Sequence, residues 1–236
     1  TAVCASIGML SLLMLRYSPK KTQTPPQTGD VKAIFSSINQ GLQFVFKNQE
    51  LLSALALDMF AVLFGGAMAL LPAFVSDVLH KGPETLGLLR AAPAIGAITM
   101  GLYLTRRPIN RHAGKILLAC VAAFGLCMIV FALSESLWLS LAALALSGVF
   151  DSVSVIVRST ILQLTTPDDM RGRVSAINGL FIGSSNELGA FESGLAASWL
   201  GLVPSVVVGG LITLTVVLVT AKVAPKLRRL HIHELI

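Results

Sequence analysis

"KILLACVAAFGLCMIVFAL" occupies residues 115–133, and after Lys115 it contains no charged side chain. A helix of about 20 apolar residues crosses the roughly 30 Å hydrocarbon core of a bilayer. The whole chain of 236 residues is 54% hydrophobic and only 13% charged, whereas about a quarter of a soluble domain is charged. We therefore predict an all-α membrane protein.

Further apolar segments on both sides of this one predict a six-helix transmembrane bundle over residues 51–223. The predicted spans are 51–76, 87–105, 115–133, 137–164, 174–200 and 202–223. Residues 1–15 are typical of the end of a preceding transmembrane helix, because the chain opens inside an apolar run without the basic start of a signal peptide. We expect the chain to begin inside a larger protein.

Residues 16–50 predict a cytoplasmic linker, and residues 224–236 predict a basic cytoplasmic tail. The stretch 18–31 is rich in Pro, Thr and Lys, as flexible linkers are. After it, apolar side chains recur at helical spacing, which predicts an amphipathic helix on the membrane face. These side chains are Ile34, Phe35, Ile38, Leu42, Val45 and Phe46.

The Lys and Arg residues predict the orientation. Of the 18, fifteen fall in or beside the connections on one side of the predicted bundle, and only Lys81 falls on the other. Arg90 and Arg158 lie inside spans. Cytoplasmic loops carry the excess of basic residues, so we predict a multi-pass membrane protein with its C-terminus in the cytoplasm. The family resemblance described below then implies a bacterial inner membrane. The net charge of +6 is a topology signal rather than a nucleic-acid site.

Enzyme and metal signatures are missing from the sequence. It has no GxSxG, HExxH, P-loop or CxxC motif, and we predict neither an enzyme nor a cofactor. His231 and His233 form an HxH that favours a solvated tail over a metal site. The three cysteines lie in apolar runs and are interpreted as packing residues.

Ionisable residues inside the spans predict the functional site, because such residues usually face a cavity or a partner. Glu187 lies about 20 Å from the cytoplasmic end of its span, near the midplane, and is the first candidate for proton binding. Asp151 and Asp58 follow. Asp151 is also the expected ion-pair partner of Arg158, which has the loop acids as its alternative. Fixed ion pairs and proton exchange both remain open for these acids.

The span of Glu187 is the most polar of the set. Gly179 and Gly183 form a GxxxG, which allows close helix packing or leaves room for a ligand, and we favour packing. Asn186 adds a polar side chain that is a candidate for the cavity or for gating. Glu192 is expected to reach the outer interface. Arg90 lies near the outer end of its span and is expected to extend to the membrane surface there, as long cationic side chains do.

The connection at 166–173, "TTPDDMRGRVS" with its flanks, predicts a capped helix start. We expect Thr166 to cap a helix whose first residue is Pro167, with Asp168 and Asp169 at the positive end of its dipole. Arg171 and Arg173 then lie at the cytoplasmic surface, as do Arg106 and Arg107 of the other basic hairpin. Membrane anchoring is the favoured role, and charge contacts between transport states are the alternative.

Three segments resemble major facilitator transporters, and more narrowly the bacterial group that includes the enterobactin exporter and related drug-efflux proteins. They are "LLSALALDMFAVLFGGAMALLPAF" (51–74), "LGLLRAAPAIGA" (86–97) and "TPDDMRGRVSAINGLFIGSSNELGAFESGLAASWLG" (166–201). Members of this group often carry an acid where this chain has Ala190. If that acid handles protons, Glu187 acts alone here.

The resemblance implies two six-helix halves, of which this chain is the C-terminal one. It implies alternating access of the two halves around a site near the midplane. The predicted function is proton-coupled export of small organic molecules of drug or siderophore type, with protons, lipid and the missing N-terminal half as partners. The alternative is a membrane sensor or assembly partner without transport activity.

Overall fold

The computed structural model describes residues 31–65, 67–107, 109 and 112–230, and the regular elements among them are all helical. The chain divides at Ile38, and the described residues from Ile38 onward belong to the second of its two units. The contacts reported below lie within the second unit. The predictions for 1–15, for most of the linker and for His231 and His233 fall outside the described residues.

Six long helical segments make up the bundle, and their bounds lie within four residues of the predicted spans. The helices of the described chain are α1 (Val31–Lys47), α2 (Gln49–Gly65), α3 (Leu71–Ala73), α4 (Pro83–Arg106), α5 (Ala113–Ala132), α6 (Leu137–Thr165), α7 (Arg171–Leu200), α8 (Leu202–Val223) and α9 (Pro225–Arg229).

Local sequence signals set several helix ends. Pro83 occupies the start of α4, where the missing amide hydrogen has no intrahelical partner to lose. The Asn48 Oδ1 atom accepts hydrogen bonds from the amides of Glu50 and Leu51, both at 3.2 Å, and so caps α2. Gly201 separates α7 from α8 with a φ of 90°, a conformation that glycine adopts readily.

The first predicted span is irregular in its second half. A 3₁₀ turn at Ala67–Leu70 precedes α3, and a π turn at Phe74–Val78 follows it. The Leu79 amide donates to the Phe74 carbonyl at 2.9 Å, one residue further back than in an α-helix. The stretch Gln49–Val78 as a whole has the length and apolarity of a membrane span.

Five helical segments of the described chain are long and apolar enough to cross a membrane: Gln49–Val78, α4, α5, α6 and α8. The one remaining predicted span, 174–200, corresponds to α7, which has 30 residues but does not reach that apolarity. Its Asn, Ser and Glu residues lower its mean hydropathy. It packs along α2 and α8, so it runs beside helices that meet both criteria.

The helices pack in a defined order. α6 lies beside α4 and α5, α8 lies beside α5, and α2 lies beside α7 and α8. One apolar layer contains Leu117 and Ile161. A second contains Phe74 and Phe131, whose ring centroids are 4.8 Å apart. α6 and α7 scarcely touch, and the gap between them matters for the site.

Glycines set the closest crossings. A Cβ atom at Gly96 would lie 1.9 Å from the Ala145 carbonyl oxygen, and one at Gly148 would lie 2.0 Å from the Pro93 carbonyl oxygen. α4 and α6 therefore meet backbone to backbone. Gly209 of α8 approaches the backbone of α2 equally closely. These helices form a fixed framework around the centre of the bundle.

The predicted amphipathic helix is present as α1, and its last turns pack on the bundle. Val45 is buried in a cluster with Leu51 and Val174, while Phe46 is 61% exposed. The apolar face of α1 is therefore shared between the bundle and the surface. Its contact with the membrane stays a prediction.

Candidate functional site

A cavity of about 360 Å³ lies at mid-height of the bundle. Asp151 is the fifteenth of 29 residues in α6 and Asn186 the sixteenth of 30 in α7, so both reach the cavity from the centres of their helices. The lining residues are Val62, Gly65, Ala67, Met68, Ala69, Pro93, Phe124, Met128, Ser147, Gly148, Asp151, Asn186, Gly189 and Ala190. The cavity follows from the gap between α6 and α7.

The walls of the cavity are mostly apolar, with three polar side chains. The Ser147 hydroxyl donates to the Leu144 carbonyl of its own helix at 2.7 Å. Asp151 and Asn186 remain as the polar groups that can meet a ligand. Apolar walls with a few polar groups are typical of sites for small organic molecules.

A buried ion pair lies next to this cavity and corrects the predicted one. Arg158 Nη1 donates to Asp58 Oδ2, and both side chains are less than one tenth exposed. Arg158 therefore pairs with α2 rather than with Asp151 or the loop acids. Asp58 and Arg158 are 100 residues apart in sequence, and only the packing of α2 against α6 brings them together. Asp151 is left half-buried at the cavity.

Glu187 lies outside the cavity lining and is exposed. It shares an exposed helix face with small residues at helical spacing, which are Gly179, Gly183, Ala190 and Gly194. A Cβ atom at any of the three glycines would meet nothing within 4 Å in the described structure. The GxxxG therefore packs against nothing in the part of the chain that the structure describes, and its close packing stays a prediction. We call this surface the open face of α7.

Glu192 is half-buried and lines a small cavity with Ser193 and Ser205, between α7 and α8. Its reach to the outer interface stays a prediction. Glu192 follows Glu187 by five residues, a rotation of about 140° around the helix, so the two glutamates face different neighbours. Arg90 is exposed on α4, and its predicted extension to the membrane surface stays a prediction.

The connection before α7 differs from the predicted cap. α7 begins at Arg171, and the residues before it form a turn in which the Met170 amide donates to the Pro167 carbonyl at 3.0 Å. Thr166 ends α6, and its buried hydroxyl has no hydrogen-bond partner among the described groups. The turn satisfies the backbone locally, so Thr166 does not cap α7.

The charged residues at this end of the bundle are mostly exposed. Arg171 pairs with Asp168 at 2.9 Å, a surface contact that contributes little to stability. Arg173 Nη1 donates to Gln40 Oε1 of α1 at 3.0 Å. The other predicted loop residues, Asp169, Arg106 and Arg107, are exposed. Their role as contacts between transport states stays a prediction.

No group of three or more His, Cys, Asp or Glu side chains that could hold a metal occurs among the described residues. Cys120 and Cys127 are free thiols within α5, and Cys127 is buried, as expected of a packing residue.

Sequence reasoning missed several cavity residues. Pro93 lies inside α4, and its position in a predicted span is a signal that could have been used, because it removes a backbone hydrogen bond. Phe124 and Met128 gave no such signal. They are ordinary apolar residues of α5, and only the helix arrangement turns them toward the cavity.

Apolar helices around an acid-lined cavity at mid-height define a multi-pass α-helical membrane protein with a site for a small solute. The sequence model of the transmembrane secretion effector family matches residues 2–234. The chain belongs to this family of major facilitator transporters, as the resemblance in its sequence predicted. It is therefore part of a transporter rather than an enzyme.

Three curated proteins are similar to this chain. The multidrug efflux pump Tap of Mycolicibacterium fortuitum is 27% identical over 85% of this chain and 48% of its own length. The uncharacterized MFS-type transporter YvqJ of Bacillus subtilis is 24% identical over 85% of this chain and 48% of its own length. The enterobactin exporter EntS of Citrobacter koseri is 28% identical over 74% of this chain and 40% of its own length.

The chain spans about half the length of the curated relatives it matches. No solved structure matches it.

Proposed function

We propose that this chain is the C-terminal half of a proton-coupled exporter of small organic molecules, of drug or siderophore type. The observation that carries the proposal is the open cavity of about 360 Å³ with Asp151 and Asn186 in its wall. Its volume lies at the lower end of the roughly 300–1,000 Å³ range of ligand sites. A second half would enlarge and close it.

The open face of α7 supports the need for a second half. Exposed glycines in a membrane helix let another helix approach closely, and Gly179, Gly183 and Gly194 have open space around them in the described structure. The relatives are about twice as long as the aligned region. We infer that an N-terminal six-helix half contacts this face, and that the two halves move about the cavity by alternating access.

Protons are proposed to bind at Glu187 and Asp151. Glu187 belongs to the open face of α7, where the movement of a second half changes its surroundings. Asp151 lies at the cavity wall, where a bound substrate changes its hydration. A carboxyl group that passes between wet and dry surroundings takes up and releases a proton.

The ends of the bundle support a cytoplasmic C-terminus. A Cβ atom at Gly114 would lie 1.6 Å from the Leu227 carbonyl oxygen, so the start of α5 and the tail share the basic end. Trp138 and Trp199 are 80% and 77% exposed at the opposite end, and Trp residues anchor membrane–water interfaces. We infer that the basic end faces the cytoplasm of a bacterial cell.

The test uses the full-length protein in liposomes with an imposed pH gradient, and ethidium and enterobactin as probes. We expect the pH gradient to drive transport of at least one probe. Glu187→Gln and Asp151→Asn should abolish this gradient-driven transport while the protein stays folded. Glu84→Gln, at an exposed acid in the first turn of α4, is the matched control and should transport normally.

Two results would overturn parts of the proposal. Normal gradient-driven transport in both carboxyl variants would show that neither Glu187 nor Asp151 couples proton movement to transport. If the wild type transports neither probe in either gradient direction, the protein is not an exporter of ethidium or enterobactin.

A further inference from the structure

The hydroxyl of Ser154 is a buried polar group that the site described above does not use. Ser154 is 3% exposed, and its Oγ atom has no hydrogen-bond partner among the described protein groups. Several serines of this bundle donate to a carbonyl of their own helix, as Ser147, Ser185 and Ser205 do. A buried hydroxyl without a partner costs free energy, so its surroundings need an explanation.

Ser154 lies between the cavity acid and the buried ion pair. Asp151, Ser154 and Arg158 follow one another at spacings of three and four residues on α6, which places them on one helix face. Arg158 in turn pairs with Asp58 of α2. Ser154 is therefore the polar residue between two acids that sit on different helices.

A small void joins these groups. Its volume is about 10 Å³, and its wall includes Asp58, Asp151 and Ser154. Asp151, Val62 and Phe124 line both this void and the large cavity. The void therefore continues from the cavity wall inward to the ion pair.

The size and chemistry of the void match a single water molecule. A water needs roughly 10–15 Å³ of such space and two to four polar partners, and here two carboxyl groups and one hydroxyl surround it. We propose that one water molecule binds between Asp151 and Asp58, hydrogen-bonded to Ser154 Oγ, and that it carries protons between the cavity and the Asp58–Arg158 pair.

The proton transfer is balanced without any other reactant. Asp151 first takes up a proton from the cavity. Its O–H bond then breaks, and the proton joins the water. The water at the same time releases one of its own protons, which forms an O–H bond on Asp58. The water is unchanged, Asp151 becomes a carboxylate, and Asp58 becomes neutral beside Arg158.

The ionisable groups around the void are few. α2 contributes Asp58, α6 contributes Asp151 and the Arg158 that contacts Asp58, and α5 contributes the Cys120 thiol. The described residues that line the void include no ionisable group from α7 or α8. Asp58 is therefore the acceptor that the water can reach from Asp151.

Neutral Asp58 would no longer compensate the buried charge of Arg158, and an unpaired buried cation is strongly unfavourable. Protonation would therefore loosen the contact of α2 with α6, two helices that line the cavity. This consequence rests on the proposed proton-coupled transport. The presence of the water does not depend on transport, so the water site and the proton transfer can be tested separately.

The first experiment detects the water without any substrate. Infrared difference spectra of the full-length protein in lipid, between acidic and neutral pH, are recorded in ordinary water and in H₂¹⁸O. We expect an O–H stretching band that shifts with the isotope. Ser154→Val fills the void and should abolish the band, whereas Ser154→Ala leaves room for the water and should only move the band.

Thr160→Val is the control for the loss of a hydroxyl on the same helix. The Thr160 hydroxyl donates to the Ile156 carbonyl at 2.8 Å and does not line the void, so the band should persist. An isotope-sensitive band that survives unchanged in Ser154→Val, or that is missing from the wild type, would overturn the water site.

The second experiment tests the transfer of protons. In liposomes, Ser154→Val should lose ethidium transport driven by a pH gradient but keep ethidium exchange at equal pH, and Thr160→Val should keep both. Intact gradient-driven transport in Ser154→Val would reject the relay even if the water band is present. If wild-type protein transports nothing, the proposed function fails while the infrared result still decides the water site.

Discussion

Two sets of glycines in the same bundle do opposite things. At Gly96, Gly148 and Gly209 an added Cβ atom would lie within about 2 Å of a backbone carbonyl oxygen on another helix. At Gly179 and Gly183 an added Cβ atom would meet nothing within 4 Å of the described chain. The first set holds helices together, and the second set lies on the open face of α7.

A glycine in a membrane helix allows another segment to approach closely, but the sequence does not say which segment does so. The packed crossings fix α4 on α6 and α8 on α2, which leaves α7 and the cavity beside it as the surface for another partner. The same division applies to the acids, because Asp58 is sealed inside the framework while Glu187 is on the open face.

The largest effect is expected in the packed region, at Asp58→Asn. This change leaves the buried charge of Arg158 without its partner, which destabilises the folded state by about 3–5 kcal/mol. The free energy of unfolding in mixed micelles measures it. Asp168→Asn, which breaks an exposed pair with Arg171, should cause no measurable change. Equal stability of both variants would show that the buried pair is not part of the framework.

Gly148→Ala is expected to have the next largest effect. The new methyl group would lie 2.0 Å from the Pro93 carbonyl oxygen, so α4 and α6 must separate, at a cost of about 1–3 kcal/mol. Gly183→Ala is the matched control. Alanine is the better helix former by roughly 1 kcal/mol, so unfolding should become no easier. A loss of stability at residue 183 as large as at residue 148 would contradict the contrast between the two sets.

A third change sharpens the contrast by separating activity from stability. Gly183→Leu puts a large side chain on the open face of α7, where we infer that the N-terminal half makes contact. Ethidium transport by the full-length protein in liposomes should be lost. Leu188→Phe enlarges an existing side chain at another exposed position of α7 and should be tolerated. Normal transport in Gly183→Leu would mean that no helix approaches this face.

The smallest effect is expected at Gly41→Ala, where α1 meets α7. The added Cβ atom would lie 2.6 Å from Ile177 Cδ1, the mobile end of a side chain that can rotate away at a cost of about 1 kcal/mol. Thermal unfolding should shift little. Gly114→Ala faces the Leu227 carbonyl oxygen at 1.6 Å and should lower the unfolding temperature clearly more.

The helices could be predicted almost completely from the sequence. Their bounds agree to within four residues because unbroken apolar runs set the helix lengths, and Gly201 separates α7 from α8 as predicted. The largest difference is at Pro83, which starts α4 four residues before the predicted span. The cap at Thr166 was predicted wrongly because a turn after Pro167 satisfies the same backbone groups. Such local alternatives have similar free energies, and sequence patterns do not separate them.

The candidate site could be predicted only in part. Asp151 and Asn186 were found because a polar residue deep in an apolar helix stands out, and both line the cavity. The partner of Arg158 was predicted wrongly, because Asp58 lies on a different helix. Spacing along one helix gives the face of a residue, but it does not give the helix that covers that face.

The sequence by itself determined that this chain is a helical membrane protein, where its helices run, and which end of the bundle is basic. These properties follow from the transfer of each side chain into lipid and from backbone signals a few residues long. Only the tertiary structure decided that Asp58 pairs with Arg158, that Asp151 faces a cavity while Glu187 does not, and that Gly183 is open. Those outcomes depend on the order and rotation of neighbouring helices, which packing between distant segments fixes.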